Sequence, residues 1–238
     1  MSWLEILSYI AIAIGIIQFL VITIDVIRHP QMMFVMNIVW PITGLYFPVA
    51  GIWFYFKLGR KDRKKHDHAH HSSDHTHDAH EGHHHEHHHS EKPFWQSVFV
   101  STTHCSSGCS VGDLIGAPIV FLTGWTIAGS VLFADYVVEF LLAYIAGIAF
   151  QYYGMSMKDN SSKEELKNAL KADTWSLIAF EIGMFGWMAL SHYVFFTQAP
   201  KPDSAVFWFM MQIAMIIGFC TSYPANWVLV KKGVKHAM

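Results

Sequence analysis

A pair of cysteines, Cys105 and Cys109, lies between His104 and Asp113. Residues four apart on a helix share a face one turn apart, so a helix would align Cys105, Cys109 and Asp113. Two thiolates at this spacing can hold a soft ion such as Cu(I) or Zn(II), with His104 or Asp113 as further ligands. The alternatives are a redox dithiol, which usually has two intervening residues rather than three, or small buried packing residues.

A second set of candidate ligands follows a helical stripe formed by Glu181, Met184, Met188 and His192. An acid inside a membrane span is costly, which makes Glu181 a candidate functional residue. At the rise of an α-helix, His192 lies about 16 Å from Glu181, so the two cannot share one site. The stripe predicts a ladder for stepwise ion transfer or a proton relay, unless the methionines only fill the core.

Histidines crowd the segment 66–89, which holds 13 of the 17 in the chain, interleaved with acidic residues. The segment has no large apolar residue, so it cannot form a core and is predicted to be a disordered cytoplasmic loop within 58–93. Neutral imidazoles bind copper, zinc and nickel, although the spacing selects none of these metals, and a solvated linker is the alternative. The densest predicted ligands are His83, His84, His85, His87, His88 and His89.

The elements that must position these groups are membrane helices. Only 14% of the residues are charged, against about 25% in soluble domains, and the charges are concentrated in short stretches. We predict an all-α, polytopic transmembrane helix bundle in the inner (plasma) membrane. With a net charge of -2, the composition gives no indication of a nucleic-acid partner.

Six spans are predicted, at 4–27, 34–56, 114–134, 136–155, 174–196 and 205–230. The first two belong to a unit 1–57, and the others to a unit 94–238 that begins with an interfacial helix over 94–107. This arrangement puts 14 of the 16 Lys and Arg on one side, so both termini are predicted to be cytoplasmic. Asp25, His29, Asp135 and Glu139 would then gather near the outer surface, as a metal-binding mouth or as ordinary interfacial residues.

The predicted function is transition-metal handling, by a transporter or a metal-binding factor, with copper first and zinc or nickel next. One alternative is a membrane thiol/quinone redox enzyme that uses Cys105 and Cys109. Another is a metal-responsive scaffold or sensor. The phosphate loop, the His-Glu-x-x-His zinc motif and the Gly-x-Ser-x-Gly elbow are all absent from the sequence, which favours a protein that is not an enzyme of those types.

Several segments together are typical of one protein family. They are His29-Pro-Gln, Met36-Asn-Ile-Val-Trp-Pro-Ile-Thr-Gly-Leu-Tyr46, His104-Cys105 with Gly108-Cys109, Ala169-Leu-Lys-Ala-Asp173, Glu181-Ile-Gly-Met-Phe-Gly-Trp-Met188, Phe207-Trp-Phe-Met-Met-Gln212 and Thr221-Ser-Tyr-Pro224. They resemble a prokaryotic multi-span membrane family classed only as a domain of unknown function, and the resemblance covers nearly the whole chain outside the His-rich loop. Some members are labelled copper oxidases, and some are joined to a cupredoxin domain, which this chain lacks. The resemblance therefore implies a multi-span membrane protein with a link to copper and a cupredoxin-type partner, and it implies no particular reaction.

Overall fold

The structure, a computed structural model, describes residues 2–31, 33–60, 93–156 and 163–234. These residues form α-helices joined by short turns, which confirms the predicted all-α class. The helices are α1 (Trp3–Arg28), α2 (Met36–Tyr46), α3 (Ala50–Phe54), α4 (Phe94–Thr123), α5 (Val131–Ser156), α6 (Lys163–Leu190) and α7 (Ala205–Lys231). Single π-helical turns, Tyr55–Gly59 and Ser191–Phe195, extend α3 and α6. Most of the predicted His-rich loop lies outside the described residues.

Five of the described helices are long and apolar enough to cross a membrane, against the six spans predicted. They are Trp3–Arg28, Phe94–Thr123, Val131–Tyr153, Asp173–Phe195 and Ala205–Lys231. Five such helices indicate a multi-pass membrane protein.

The predicted interfacial helix over 94–107 is wrong, because these residues are the first half of α4. Their polar side chains are buried against other helices. The hydroxyls of Thr102, Thr103 and Ser106 donate to backbone carbonyls one turn earlier in the same helix. The span predicted over 114–134 is also wrong. The helix ends at Thr123, and Gly124, at φ 67°, caps it in the left-handed region.

The segment predicted as the second span, 34–56, is a hairpin of two short helical arms. The chain breaks at Phe47, which leaves the α conformation (φ -101°, ψ 82°) before Pro48, a residue that disfavours a helical predecessor. The two arms then lie against each other, with Trp40 and Tyr55 ring centroids 5.7 Å apart. Gly51 packs against Gly44 so closely that a Cβ on Gly51 would lie 2.8 Å from the Gly44 Cα.

The tip of this hairpin reaches only the middle of α1. There, the Gln18 amide donates to the carbonyl of Phe47 at 3.3 Å and accepts from the amide of Ile52 at 3.0 Å. Gln212 of α7 donates to the carbonyl of Leu45 at 2.9 Å. These side chains satisfy backbone groups that the break removes from helical bonding, as an irregular segment at membrane depth requires.

Both feet of the hairpin lie beside the end of α1. The Tyr55 hydroxyl donates to the Asp25 carboxylate at 2.7 Å, and Arg60 lies 3.5 Å from the same carboxylate. The start of α4 is at this end too, because the rings of Phe54 and Phe99 are 4.5 Å apart. We call it the loop end of the bundle, since residues 60 and 93, which flank the His-rich segment, both lie there.

Helices α4 and α5 pack through a stripe of glycines at Gly108, Gly112 and Gly116. A Cβ on Gly112 would lie 2.5 Å from the Cα of Ala143, and one on Gly116 would lie 2.7 Å from the Glu139 Cγ. Small residues four apart let two helix backbones approach closely in a membrane. The stripe therefore fixes which residues of α5 face the second half of α4.

Candidate functional site

Three carboxyl groups on different helices are buried in the middle of the bundle, and we call Asp113, Glu139 and Glu181 the acidic cluster. Asp113 is on α4, Glu139 on α5 and Glu181 on α6, with exposed fractions of 0%, 2% and 2%. Asp113 interacts electrostatically with both other carboxyls. Glu139 is brought there by the glycine stripe, because it packs directly on Gly116.

Among the described residues, no ion pair within 4.0 Å joins the acidic cluster to a basic side chain. The sequences 94–156 and 172–200, which contain all three carboxyls, include no Lys or Arg. Both oxygens of Asp113 and both oxygens of Glu181 are buried without a hydrogen-bond partner among the residues that the structure describes. An uncompensated charge in a low-dielectric interior costs several kcal/mol, so the carboxyls of such a cluster must be neutralised, either by protonation or by a bound cation.

The predicted helix carrying Cys105, Cys109 and Asp113 on one face is confirmed, and the two thiols face different carboxyl groups. The Cys105 thiol donates to Asp173 at 3.0 Å. Cys109, 1% exposed, lies beside Glu181. The Cys109 thiol does not form a hydrogen bond with Glu181, because both carboxyl oxygens of Glu181 are without a hydrogen-bond partner among the described residues. No disulfide joins the three cysteines, all of which are in the described part of the chain.

Cys105 also borders a small pocket of about 20 Å³ between α4, α5 and α6, near the loop end. His104 and Asp173 line it as well, with Tyr144 and Leu177. The volume is about that of a single water-sized probe. Polar groups therefore run from the half-buried Asp173 and Cys105, through the buried Cys109, to the acidic cluster.

The predicted ligands do not form a ready-made metal site. Among residues 2–31, 33–60, 93–156 and 163–234, no three His, Cys, Asp or Glu side chains are placed to hold one ion. Met184 and Met188 belong to the hydrophobic core, with exposed fractions of 0% and 7%. His192 lies about three helical turns from Glu181, as its spacing in the sequence requires. The six predicted histidine ligands at 83–85 and 87–89 lie outside the described part of the chain.

A cavity of about 380 Å³ opens at the end of the bundle opposite the loop end. It is lined by the ends of α4 and α6, the starts of α5 and α7, and the loop before α7. Glu139 lies in its wall, together with Asp135, His192 and Lys201. Glu139 is thus the member of the acidic cluster that faces the cavity. The sequence placed it with Asp135, as part of an outer mouth or as an ordinary interfacial residue, and did not connect it with Asp113 and Glu181.

The predicted outer mouth is wrong, because Asp25 and His29 lie at the loop end while Asp135 and Glu139 lie toward the other end. Phe99, near Asp25, and Gly116, beside Glu139, are separated by about 26 Å along α4. The carboxylate of Asp25 instead holds the hairpin to α1 and lies 3.2 Å from the His29 ring.

Comparison with known proteins places the second part of the chain in a family. No curated protein and no solved structure matches the chain. A family model described as a domain of unknown function (DUF4396) matches residues 94–235, which include α4 to α7 and therefore the whole acidic cluster. The chain with its buried carboxyls and cysteine pair belongs to the DUF4396 family.

Proposed function

We propose that this protein is a membrane transporter that moves transition-metal cations, copper first and zinc or nickel next, through the acidic cluster. The observation that carries the proposal is the burial of Asp113, Glu139 and Glu181 near one another, without an ion pair to a basic side chain among the described residues. Three negative charges in a bilayer must be balanced by bound protons or by a bound cation. A site that exchanges one for the other can carry a cation across the membrane.

The choice of a transition metal as cargo rests on the groups beside the cluster. The Cys109 thiol adjoins Glu181, and sulfur with carboxylate oxygen suits soft and borderline ions better than Na⁺ or K⁺. The His-rich segment supplies imidazoles that would concentrate the same ions at the loop end. Because no three ligand side chains are assembled in the described conformation, binding of the cargo requires α4 and α6 to move relative to each other.

We further propose a five-span topology in which the hairpin enters and leaves on the loop side. Residues 28 and 60 then lie on the same side of the membrane, and the two termini lie on opposite sides. In this arrangement every Lys and Arg except Lys201 falls at the loop end. The positive-inside rule places that end in the cytoplasm and the N-terminus outside, where six spans would have placed it inside.

Labelling of single cysteines tests this topology, in a background with the three native cysteines replaced by serine. An impermeant maleimide added to intact cells should label Ser2→Cys and should reach Val234→Cys only after permeabilisation. Equal protection of both positions would refute the five-span arrangement.

The transport proposal is tested with the full chain in proteoliposomes that enclose a metal-sensitive dye. Asp113→Asn and Glu181→Gln preserve shape and remove charge, and each should lower copper influx about tenfold or more. Asp203→Asn, at an exposed position in the loop before α7, is the matched control and should transport as the wild type. Wild-type vesicles without metal influx, or full influx in both cluster variants, would overturn the proposal.

The redox alternative requires Cys105 and Cys109 to act as a dithiol. The two thiols instead contact different carboxyl groups, Asp173 and Glu181, which favours this alternative less than metal transport. Cys109→Ser distinguishes the two functions, because a redox enzyme would lose electron transfer while metal tolerance stays intact. For the sensor alternative, deletion of residues 66–89 would abolish a metal response and leave metal flux unchanged.

A further inference from the structure

The cavity opposite the loop end contains acidic and basic side chains that do not pair with each other. Asp135 and Glu139 come from α5, whereas His192 follows α6 and Lys201 precedes α7. All four lie in the described part of the chain, and no ion pair within 4.0 Å joins either acid to either base. Acidic and basic groups that share a cavity without neutralising each other are complementary to a ligand that carries both charges.

A buried hydroxyl supplies an independent indication of a ligand. Ser191 lines the same cavity, is 1% exposed, and its Oγ has no hydrogen-bond partner among the described residues. Burying a hydroxyl without a hydrogen-bond partner is unfavourable. A ligand that accepts or donates a hydrogen bond at Ser191 would recover that cost.

The size and the remaining walls restrict the ligand further. About 380 Å³ is far more than a bare ion needs and lies at the small end of the range for organic ligands. The rest of the wall is largely apolar, with Val120, Met188 and Phe207 among its residues. The ligand therefore combines two opposite charges with an apolar portion.

We propose that this cavity binds a small zwitterion, namely an α-amino acid with an apolar side chain. Its ammonium group is held by Asp135, with Glu139 one helical turn deeper. Its carboxylate is held by Lys201 and His192, and its side chain packs on the apolar wall. This site goes beyond the proposed metal transport and does not depend on it, because no metal takes part in the binding.

The test measures thermal unfolding of the full chain in nanodiscs with L-leucine as the probe. Two analogues each lack one charge: 3-methylbutylamine has no carboxylate, and 4-methylpentanoate has no ammonium group. A ligand that binds only the folded state raises the melting midpoint as its concentration exceeds its Kd. L-leucine should raise the midpoint, and each analogue should bind about tenfold more weakly or worse.

Variants assign the two charges separately. Lys201→Gln should weaken leucine binding about tenfold and leave the amine unaffected, whereas Asp135→Asn should weaken both ligands. Asp203→Asn, on the same loop as Lys201 but outside the cavity wall, should bind leucine as the wild type. Absence of a leucine shift, equal binding of leucine and the amine, or unchanged affinity in both variants would each overturn the proposal. Because metal influx is not the readout, failure here leaves the transport proposal standing, and the converse also holds.

Discussion

Replacement of Gly112 by alanine should pull apart the two helices that assemble the acidic cluster. The added Cβ would lie 2.5 Å from the Cα of Ala143, about 1 Å inside an ordinary contact. The obstacle is backbone, so no rotamer change relieves the clash and α4 must move away from α5. Overpacking of this kind costs about 1–3 kcal/mol, and we expect the upper half of that range.

Part of this cost is offset, because alanine favours a helix over glycine by about 1 kcal/mol. The net expectation for Gly112→Ala is a destabilisation of about 1.5 kcal/mol, or a melting midpoint lower by about 3–6 °C for a chain of this size. Since Asp113 is the next residue and Glu139 faces Gly116, the same displacement should also lower metal influx.

Gly186→Ala is the matched control for this prediction. Gly186 also lies inside a membrane helix, α6, but nothing lies within 4 Å of a Cβ placed there. The control should melt at or slightly above the wild-type midpoint when both variants are followed by thermal unfolding in the same detergent. If Gly112→Ala melts at or above the wild type, the close α4–α5 contact is refuted, and so is the assembly of the cluster that depends on it.

Two further predictions concern the hairpin and use the same unfolding assay. Gln18→Leu should destabilise the protein by about 2 kcal/mol, because it leaves the buried carbonyl of Phe47 and amide of Ile52 without their partner; an unchanged midpoint would contradict the observed break. Tyr55→Phe should cost about 1 kcal/mol by removing the 2.7 Å bond to Asp25, and a loss as large as that of Gln18→Leu would contradict this ranking.

The predicted membrane class and helical content needed only local information. Long uncharged runs must satisfy their backbone groups internally, which in a bilayer favours helices. The shared face of Cys105, Cys109 and Asp113 also followed from helical periodicity, and α4 confirms it. The prediction of an interfacial helix over 94–107 was wrong because composition shows that side chains are polar but not whether they are buried. The hydroxyls of Thr102 and Ser106 are buried and bonded within their own helix.

The hairpin and the acidic cluster were decided by tertiary contacts between distant residues. An apolar segment with Pro41 and Pro48 can cross the membrane with a kink or turn back. It turns back here because Gln18 and Gln212, far away in sequence, satisfy the broken backbone. Glu139 joins Asp113 only because the glycine stripe aligns α5 with α4 in one register. The sequence by itself determined which residues could carry charge inside the membrane, whereas which of them meet depends on helix packing, which periodicity within one helix cannot encode.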